Sequence, residues 1–293
     1  MLAPFEVTEP SRDESPVVVE VPHAGLQVDA EALSTLFAPA QRIGHDADLF
    51  VDELFDDAPR EGATLLVARA SRYVVDLNRG PTDYDADAAE GGSGAWPRGL
   101  FWRLTTEGER LGARLSAAEV ERRLEHVYRP YHRALSDLIE RKRARFGFAV
   151  VVCAHSMPSL ARGGVEPAAH RADIVPGTRA RTSASPLVID RLDAHARAHG
   201  YTVRHDDPYK GGYSTAHYGQ PARGVHVVQV EIARRLYMDE PSLTRIPKGF
   251  LAVRQFARTL VERLAFPDLA DAAALLGPAG GSRASRRRPL ARG

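Results

Sequence analysis

The chain has 293 residues, of which 44% are hydrophobic and 26% charged, and its 39 basic and 38 acidic residues leave a net charge of +1. This composition is typical of a folded globular protein and excludes a chain that is disordered throughout. The balanced charge gives no electrostatic reason to expect a nucleic-acid partner. The longest apolar runs, such as residues 148–154, are far shorter than the ~20 residues that cross a bilayer, so no membrane partner is predicted.

The single cysteine, Cys153, forbids an internal disulfide and is typical of a reducing compartment. The N-terminal residues are charged and lack an apolar stretch, so no signal peptide is predicted and we expect a cytoplasmic protein. Residues 1–15 are polar and predict a loosely ordered lead. Residues 16–270 are expected to form one domain. Residues 271–293 are low in complexity and basic, which predicts a disordered tail.

Short apolar runs alternate with helical patterns from residue 16 onward. Strands are predicted over 16–21, 64–68, 73–77, 148–153, 201–204 and 225–231, and helices over 46–55, 116–145, 186–199 and 249–264. Because the valine-rich runs are continuous, they indicate strands that helices cover on both faces. Ser116 and Glu119 form a capping box at the start of the longest helix, and Pro130 predicts a kink or break within it. Residues 80–99 and 158–185 predict long loops. The predicted fold class is therefore α/β with a mainly parallel sheet.

Polar side chains follow or end four of these strands. They are His23, the pair Asn78 and Arg79, His155, and Glu231. In mainly parallel sheets, ligands bind beyond the carboxyl ends of the strands. We therefore expect these residues to meet at one edge of the sheet.

The two histidines, His23 and His155, are candidate ligands for zinc, because neutral imidazole suits Zn²⁺. A catalytic zinc ion usually takes three protein ligands, and the third is expected to be a carboxylate. Asp46 and Asp48 are the nearest acidic candidates. Capping and the helix macrodipole explain aspartates at a helix start equally well, so both interpretations stay open.

Glu231 lies in a valine-rich strand, where burial of an unpaired carboxylate would be costly. Beside a zinc-bound water it would act as a general base and pass the proton to a leaving amine. The alternative is a structural ion pair with Arg234 or Arg235.

Residues that suit a substrate carboxylate follow the strand at 73–77. Arg79, with Asn78, suits carboxylate recognition, because a guanidinium offers two parallel hydrogen bonds, and Arg72 is expected to assist. Lys210 and His217 belong to a glycine-rich stretch before the last strand. That stretch predicts either a loop that contacts substrate or a plain turn.

Several segments in a fixed order resemble the N-formylglutamate amidohydrolase family, which is related to zinc carboxypeptidases and to aspartoacylase. The resemblance spans about residues 17–239 and depends on the joint order of its segments. These are VPHAG (21–25), HDADLFVDELF (45–55), SRYVVDLNR (71–79), YRPYHRAL (128–135), AHSMPS (154–159), KGGYSTAHYG (210–219) and VQVEIARRLYMDE (228–240).

The resemblance implies a three-layer αβα fold of the phosphorylase/hydrolase-like type with a mixed, mainly parallel sheet, and one zinc ion with a bound water. It implies hydrolysis of N-formyl-L-glutamate to formate and L-glutamate, a reaction of histidine degradation. His23 and His155 would be zinc ligands and Glu231 the general base. The third ligand is placed at Asp48, with Asp46 as the second choice.

The resemblance also implies that Asn78 and Arg79 bind the substrate, a small N-acyl amino acid. Two positions depart from the family pattern. Ala216 stands where an arginine often precedes His-Tyr-Gly, and Thr178 stands where an acidic residue is frequent. Two alternatives therefore stay open. One is a deacylase or carboxypeptidase-like hydrolase of another N-acyl amino acid or a peptide. The other is a non-catalytic protein that binds a dicarboxylate.

Overall fold

Valine-rich segments form the middle of a six-stranded sheet. A computed structural model describes residues 3–160, 170–265 and 269–276 of the chain. Its strands are β1 (Phe5–Thr8), β2 (Val17–Val21), β3 (Thr64–Ala68), β4 (Ala149–Met157), β5 (Ile174–Gly177) and β6 (Val225–Ala233), with a small hairpin of β7 (Met238–Asp239) and β8 (Thr244–Arg245). The sheet order is β1-β3-β2-β4-β6-β5. The four inner strands are mutually parallel, and the two edge strands run antiparallel to their neighbours.

Helices cover both faces of this sheet. The α-helices in the described ranges are α1 (Ala30–Leu33), α2 (Ala40–Asp46), α3 (Val51–Leu54), α4 (Ala117–Arg123), α5 (Arg129–Phe146), α6 (Pro186–Ala198), α7 (Tyr213–Tyr218), α8 (Pro247–Ala265) and α9 (Leu269–Leu275). On one face, Val151 packs in a cluster with Tyr131 of α5. On the other, Val152 packs in a cluster with Phe256 of α8. The predicted α/β fold with a mixed, mainly parallel sheet between two helical layers is confirmed. Among the described helices, none has the length and apolar character needed to cross a membrane.

The longest predicted helix is confirmed, with an irregular turn in its middle. Ser116 Oγ accepts a hydrogen bond from the backbone N–H of Glu119, as the capping box predicts. A π-helical turn, Leu124–Tyr128, separates α4 from α5. Pro130 lies just after it, and because proline offers no backbone N–H, the regular ladder is interrupted at this point.

Three of the local predictions were wrong. Residues 73–77 form turns instead of a strand, and residues 46–55 are not one helix, because α2 ends at Asp46 and α3 begins only at Val51. At residues 201–204, only an isolated bridge between Val203 and Ile174 is present.

Both ends of the predicted domain and one predicted loop hold structure that was not expected. The lead at 1–15 contains β1, whose residues pair with β3, so residues 5–8 belong to the sheet. The predicted loop at 158–185 contains β5, which pairs with β6. Residues 271–275, placed in the tail, belong to α9. The rest of the predicted tail, 277–293, lies outside the described residues.

Candidate metal centre and catalytic cleft

The carboxyl ends of β2 and β4 bring His23 and His155 together. The strands pair in parallel, with Glu20 opposite Cys153, so the residues that follow along each strand emerge side by side. The Nδ1 atoms of the two histidines are 3.2 Å apart, and both side chains are buried. The prediction that these imidazoles meet at one edge of the sheet is confirmed.

Asp48 reaches the two histidines from the segment between α2 and α3. Its backbone N–H donates to the carbonyl of His23 over 2.9 Å, which draws this segment to the end of β2. Its Oδ2 lies 2.9 Å from Nδ1 of His155 and 3.6 Å from Nδ1 of His23. One potential ligand atom from each of the three residues lies within 4.8 Å of the others. Although burial opposes it, hydrogen bonding to both histidines holds the pKa of Asp48 well below its usual value.

Asp46, the second choice for the third ligand, is engaged elsewhere. Its carboxylate accepts hydrogen bonds from the Tyr73 hydroxyl over 2.7 Å and from the backbone N–H of Thr106 over 3.0 Å. The structure thus places Asp48, and not Asp46, beside the two imidazoles.

The outer nitrogen of each histidine also has a partner, as expected of metal-binding imidazoles. Nε2 of His23 is 2.8 Å from the buried carboxylate of Asp76. A proton on Nε2 satisfies this bond and leaves the Nδ1 lone pair for a metal ion. Nε2 of His155 lies 3.2 Å from Sγ of the buried thiol of Cys153 and 3.2 Å from Nδ2 of Asn78. These residues therefore fit a divalent metal that takes nitrogen and oxygen ligands.

Asp76 is held in place by two further donors. Its Oδ2 accepts from Nη2 of Arg72 over 2.8 Å and from Nε1 of Trp102 over 2.9 Å. Burial would raise the pKa of Asp76, but the charges of His23 and Arg72 outweigh that effect and hold it well below its usual value. Arg72 thus acts on the candidate metal centre through Asp76.

Glu231 stands directly opposite His155 in the register of β4 and β6. Its side chain is buried, and its Oε1 accepts a 2.7 Å hydrogen bond from Nε2 of Gln229. Burial, opposed by the charge of His155 and reinforced by that of Asp48, raises the pKa of Glu231 to about 7. A carboxyl group with such a pKa can both accept and release a proton near neutral pH.

The alternative interpretation, in which Glu231 forms a structural ion pair with Arg234 or Arg235, is wrong. Arg234 places its Nη2 3.4 Å from the carboxylate of Asp48, and Arg235 pairs with Asp173 over 2.7 Å. Glu231 has no ion pair with a residue in the described part of the chain.

A cleft of about 620 Å³ opens onto these groups. Residues from the predicted site that line it are His23, Asp48, Arg72, Asn78, Arg79, His155, Lys210 and Glu231. Arg79 donates from Nε to the carbonyl of Arg98 over 3.0 Å. Asn78 donates from Nδ2 to Oε1 of Gln229 over 3.0 Å and accepts at Oδ1 from the N–H of Ser214.

His217 is the one predicted substrate residue that the structure does not bring to this wall. It is exposed on α7, and its ring stacks on Tyr213 with 4.7 Å between ring centroids. His217 is not one of the described residues that line the cleft.

Gln229 and Trp102 are among the residues of the site that were not predicted from the sequence. Gln229 bonds to both Asn78 and Glu231, and its position two residues before Glu231 on a strand, hence on the same face, was a usable signal. Trp102, which donates to Asp76, lies after a long loop, and no local pattern marks it.

Gly25 allows the chain after His23 to lie against the backbone beyond β3. A Cβ atom on Gly25 would lie 2.5 Å from the carbonyl oxygen of Ala70 and 2.5 Å from the carbonyl carbon of Arg69. Because backbone cannot move aside as a flexible side chain does, Gly25→Ala is expected to lower the free energy of unfolding by about 1–3 kcal/mol. Urea-induced unfolding of the variant and the wild type measures this difference in the free energy of unfolding.

Gly44→Ala is the matched control. Gly44 lies in α2, where alanine is the better helix former. Its added Cβ would meet side-chain methyl groups, that of Leu243 at 3.2 Å and that of Leu49 at 3.9 Å, and, outside its own helix, no backbone atom within 4 Å in the described part of the chain. We expect a change within about 0.5 kcal/mol for this variant. Equal stability of the two variants would contradict the assigned role of Gly25.

Comparisons with known proteins identify the family of this chain. The family model described as N-formylglutamate amidohydrolase matches residues 15–238. N-formylglutamate deformylase of Pseudomonas aeruginosa is 37% identical over 243 residues, which cover 80% of this chain and 86% of that protein. The Pseudomonas putida protein of the same name is 36% identical over 233 residues, 77% of this chain and 82% of that protein.

A solved structure shows that the similarity extends to the fold. The crystal structure of N-formylglutamate amidohydrolase from Ralstonia eutropha JMP134 superimposes with a TM-score of 0.83 at 34% identity. The superposition covers 90% of this chain and 98% of the Ralstonia chain. The family match and these identities extend over most of the chain, including β2, β4 and β6 with their site residues. The chain therefore belongs to the N-formylglutamate amidohydrolase family.

Proposed function

We propose that this protein hydrolyses N-formyl-L-glutamate to formate and L-glutamate, using one zinc ion held by His23, Asp48 and His155. The observation that carries the proposal is the meeting of these three side chains, with ligand atoms within 4.8 Å of one another, in the cleft that also exposes Glu231. The names of the two Pseudomonas relatives support the substrate.

The donor set suits a catalytic ion. Two imidazole nitrogens and one carboxylate oxygen are a ligand set that catalytic zinc takes in proteins, with a further position left for water. When bound, the zinc ion would polarise the formyl carbonyl and make a water molecule more acidic. Asp76 supports this arrangement by fixing the ring of His23 through the 2.8 Å contact at Nε2.

Glu231 is the proposed general base. It would accept a proton from the water that attacks the formyl carbon and then deliver that proton to the amine nitrogen as the carbon–nitrogen bond breaks. The raised pKa, about 7, suits both transfers. Gln229, which donates to Oε1 of Glu231, would hold the carboxylate in position during the reaction.

Asn78, Arg79 and Lys210 are proposed to bind the substrate. Arg79 uses Nε and Nη1 on backbone carbonyls, and its Nη2 has no hydrogen-bond partner among the described residues. That nitrogen is available for a carboxylate, which would place the amide near the metal centre. Arg72 would contribute by positioning Asp76. We propose no direct contact between His217 and the substrate.

Metal analysis coupled to a formate-release assay tests the proposal. We expect the purified protein to contain about one zinc ion per chain, a chelator to abolish formate release, and added zinc to restore it. Activity that resists chelation, in a protein without metal, would contradict the metal mechanism. The same assay with N-acetyl amino acids and dipeptides separates this proposal from a deacylase or carboxypeptidase-like hydrolase.

We also propose that the reaction belongs to histidine degradation and takes place in the cytoplasm. The pathway is what the family resemblance implies. The location is supported by Cys153, a buried free thiol that no disulfide uses. Cell fractionation followed by immunodetection of the protein tests the location.

A further inference from the structure

The cleft carries more positive charge than its own carboxylates neutralise. Six basic side chains line it, namely Arg72, Arg79, Arg98, Arg171, Lys210 and Arg234. Arg72 pairs with Asp76, and Arg234 pairs with Asp48. The other four have no ion pair with any residue in the described ranges. The carboxylates of Asp46 and Glu231 also line the cleft, so six basic side chains face four carboxylates when Asp76 is included. A cleft with this surplus favours a ligand that carries more than one negative charge.

The four remaining cations form two groups on different parts of the fold. Arg79 donates to the carbonyl of Arg98, and its own carbonyl accepts from the Tyr128 hydroxyl over 2.9 Å, beside the helical layer of α4 and α5. Arg171 lies just before the edge strand β5, where Tyr209 packs with the apolar residues of that edge. Lys210 follows Tyr209. Both groups line the same cleft, so it holds a cation for each carboxylate of a dicarboxylic ligand.

Arg171 is held so that one edge of its guanidinium is available. Its Nη1 donates to the carbonyl of Pro158 over 2.9 Å and to the hydroxyl of Tyr209 over 3.2 Å. Its Nε and Nη2 have no hydrogen-bond partner among the residues that the structure describes. Its Cζ lies 5.4 Å from the centre of the Tyr209 ring. An edge formed by Nε and Nη2 can bind a carboxylate with two parallel hydrogen bonds.

Tyr209, on which Arg171 rests, is fixed in position next to the reaction centre. The backbone of Gly177 in β5 approaches so closely that an added Cβ would lie 3.0 Å from the carbonyl oxygen of Tyr209. Tyr209 lines the same cleft as Asp48 and Glu231. Burial and the charge of Glu231 raise the pKa of Tyr209, although the charge of Arg171 opposes them. Arg171 therefore borders the same cleft as the proposed metal ligands.

We propose that Arg171 determines specificity by binding the side-chain carboxylate of a dicarboxylic N-acyl amino acid, while Arg79 binds the carboxylate next to the amide. This inference rests on the proposed function and deepens it, because it selects acidic substrates from among N-acyl amino acids. It also supplies a cation for the glutamate side chain in a chain that has alanine at position 216.

A pair of substrates that differ in one group tests this role. N-formyl-L-glutamate and N-formyl-L-glutamine have the same shape, but only the first carries a side-chain carboxylate. We expect Arg171→Gln to lower kcat/KM for the glutamate substrate by about 10- to 100-fold, mainly through KM, and for the glutamine substrate by less than about threefold. Arg171→Lys keeps the charge without the paired donors and should fall between the wild type and Arg171→Gln.

Arg197→Gln serves as the matched control, because it removes one positive charge from the exposed surface of α6, where Arg197 pairs with Asp193. It should leave both substrates unaffected. Equal losses on both substrates in Arg171→Gln, or no loss on either, would overturn the assignment.

If the wild type hydrolyses neither substrate, the proposed function fails and the role of Arg171 is decided separately. Calorimetric titration with L-glutamate and L-glutamine then gives the answer. Tighter binding of L-glutamate that disappears in Arg171→Gln supports the role, and its persistence in that variant overturns it.

Discussion

Replacing Glu231 with glutamine is expected to lower kcat for formate release by about 10³-fold, within the range that general acid–base catalysis contributes. Glutamine keeps the shape of the side chain and can still accept the hydrogen bond from Gln229 at its carbonyl oxygen. It cannot accept a proton from water. Because Glu231 lies outside the His23–Asp48–His155 group, the zinc content of the variant should remain near that of the wild type.

Glu262→Gln is the control for this prediction, since Glu262 is exposed on α8. Its kcat, zinc content and melting temperature should match those of the wild type. Full activity of Glu231→Gln would remove Glu231 from the mechanism. A loss of both zinc and activity would instead identify Glu231 as part of the metal site.

Replacing Asp48 with asparagine is expected to weaken zinc binding by more than about 100-fold and to abolish activity at limiting zinc. Loss of a group that supports a ligand typically costs 10- to 100-fold in metal affinity, and Asp48 is proposed as a ligand itself. Asparagine fits the same space but brings no negative charge to the two imidazoles. Competition with a chromophoric chelator measures the affinity.

Asp46→Asn makes this experiment decisive, because both carboxylates line the cleft and only Asp48 contacts the histidines. Zinc affinity in Asp46→Asn should stay within about threefold of the wild type, as its carboxylate is engaged by Tyr73 and Thr106. The reverse result, with zinc lost from Asp46→Asn and kept by Asp48→Asn, would exchange the two assignments.

The inner strands of the sheet could be predicted from sequence, and this also located the polar residues at their carboxyl ends. Residues 17–21, 149–157 and 225–233 are rich in β-branched side chains and are buried throughout. Burial on both faces produces a continuous apolar run, which is visible in the sequence without any knowledge of partners. His23 and Glu231 were therefore placed correctly at the edge of the sheet.

Residues 73–77 show why a local pattern can fail. Tyr, Val and Val favour a strand. A buried arginine, and not a neighbouring strand, donates hydrogen bonds to the backbone carbonyl groups there. Nη1 of Arg123, from α4, donates to the carbonyl of Val74 over 2.9 Å. Asp76 then turns its carboxylate toward His23. These partners lie 49 and 53 residues away along the chain, so no local window contains them.

The break between α2 and α3 has a similar origin. Arg234 donates from Nη1 to the carbonyl of His45 over 2.8 Å and from Nη2 to that of Ala47 over 2.6 Å. These bonds hold the backbone between α2 and α3, where Asp48 lines the cleft and Phe50 adopts a left-handed conformation with φ of 67°. The choice between Asp46 and Asp48 depended on this long-range contact, so the sequence left it open.

The pairing of His155 with Glu231 across β4 and β6 limits how the gene can change in length. Adding or deleting one codon within β6 would turn every following side chain to the opposite face of the sheet. The same event would push Glu231 into the hydrophobic layer and bring an aliphatic neighbour to the cleft. Length variation among natural sequences of this family should therefore fall in the connections between strands and spare residues 225–231.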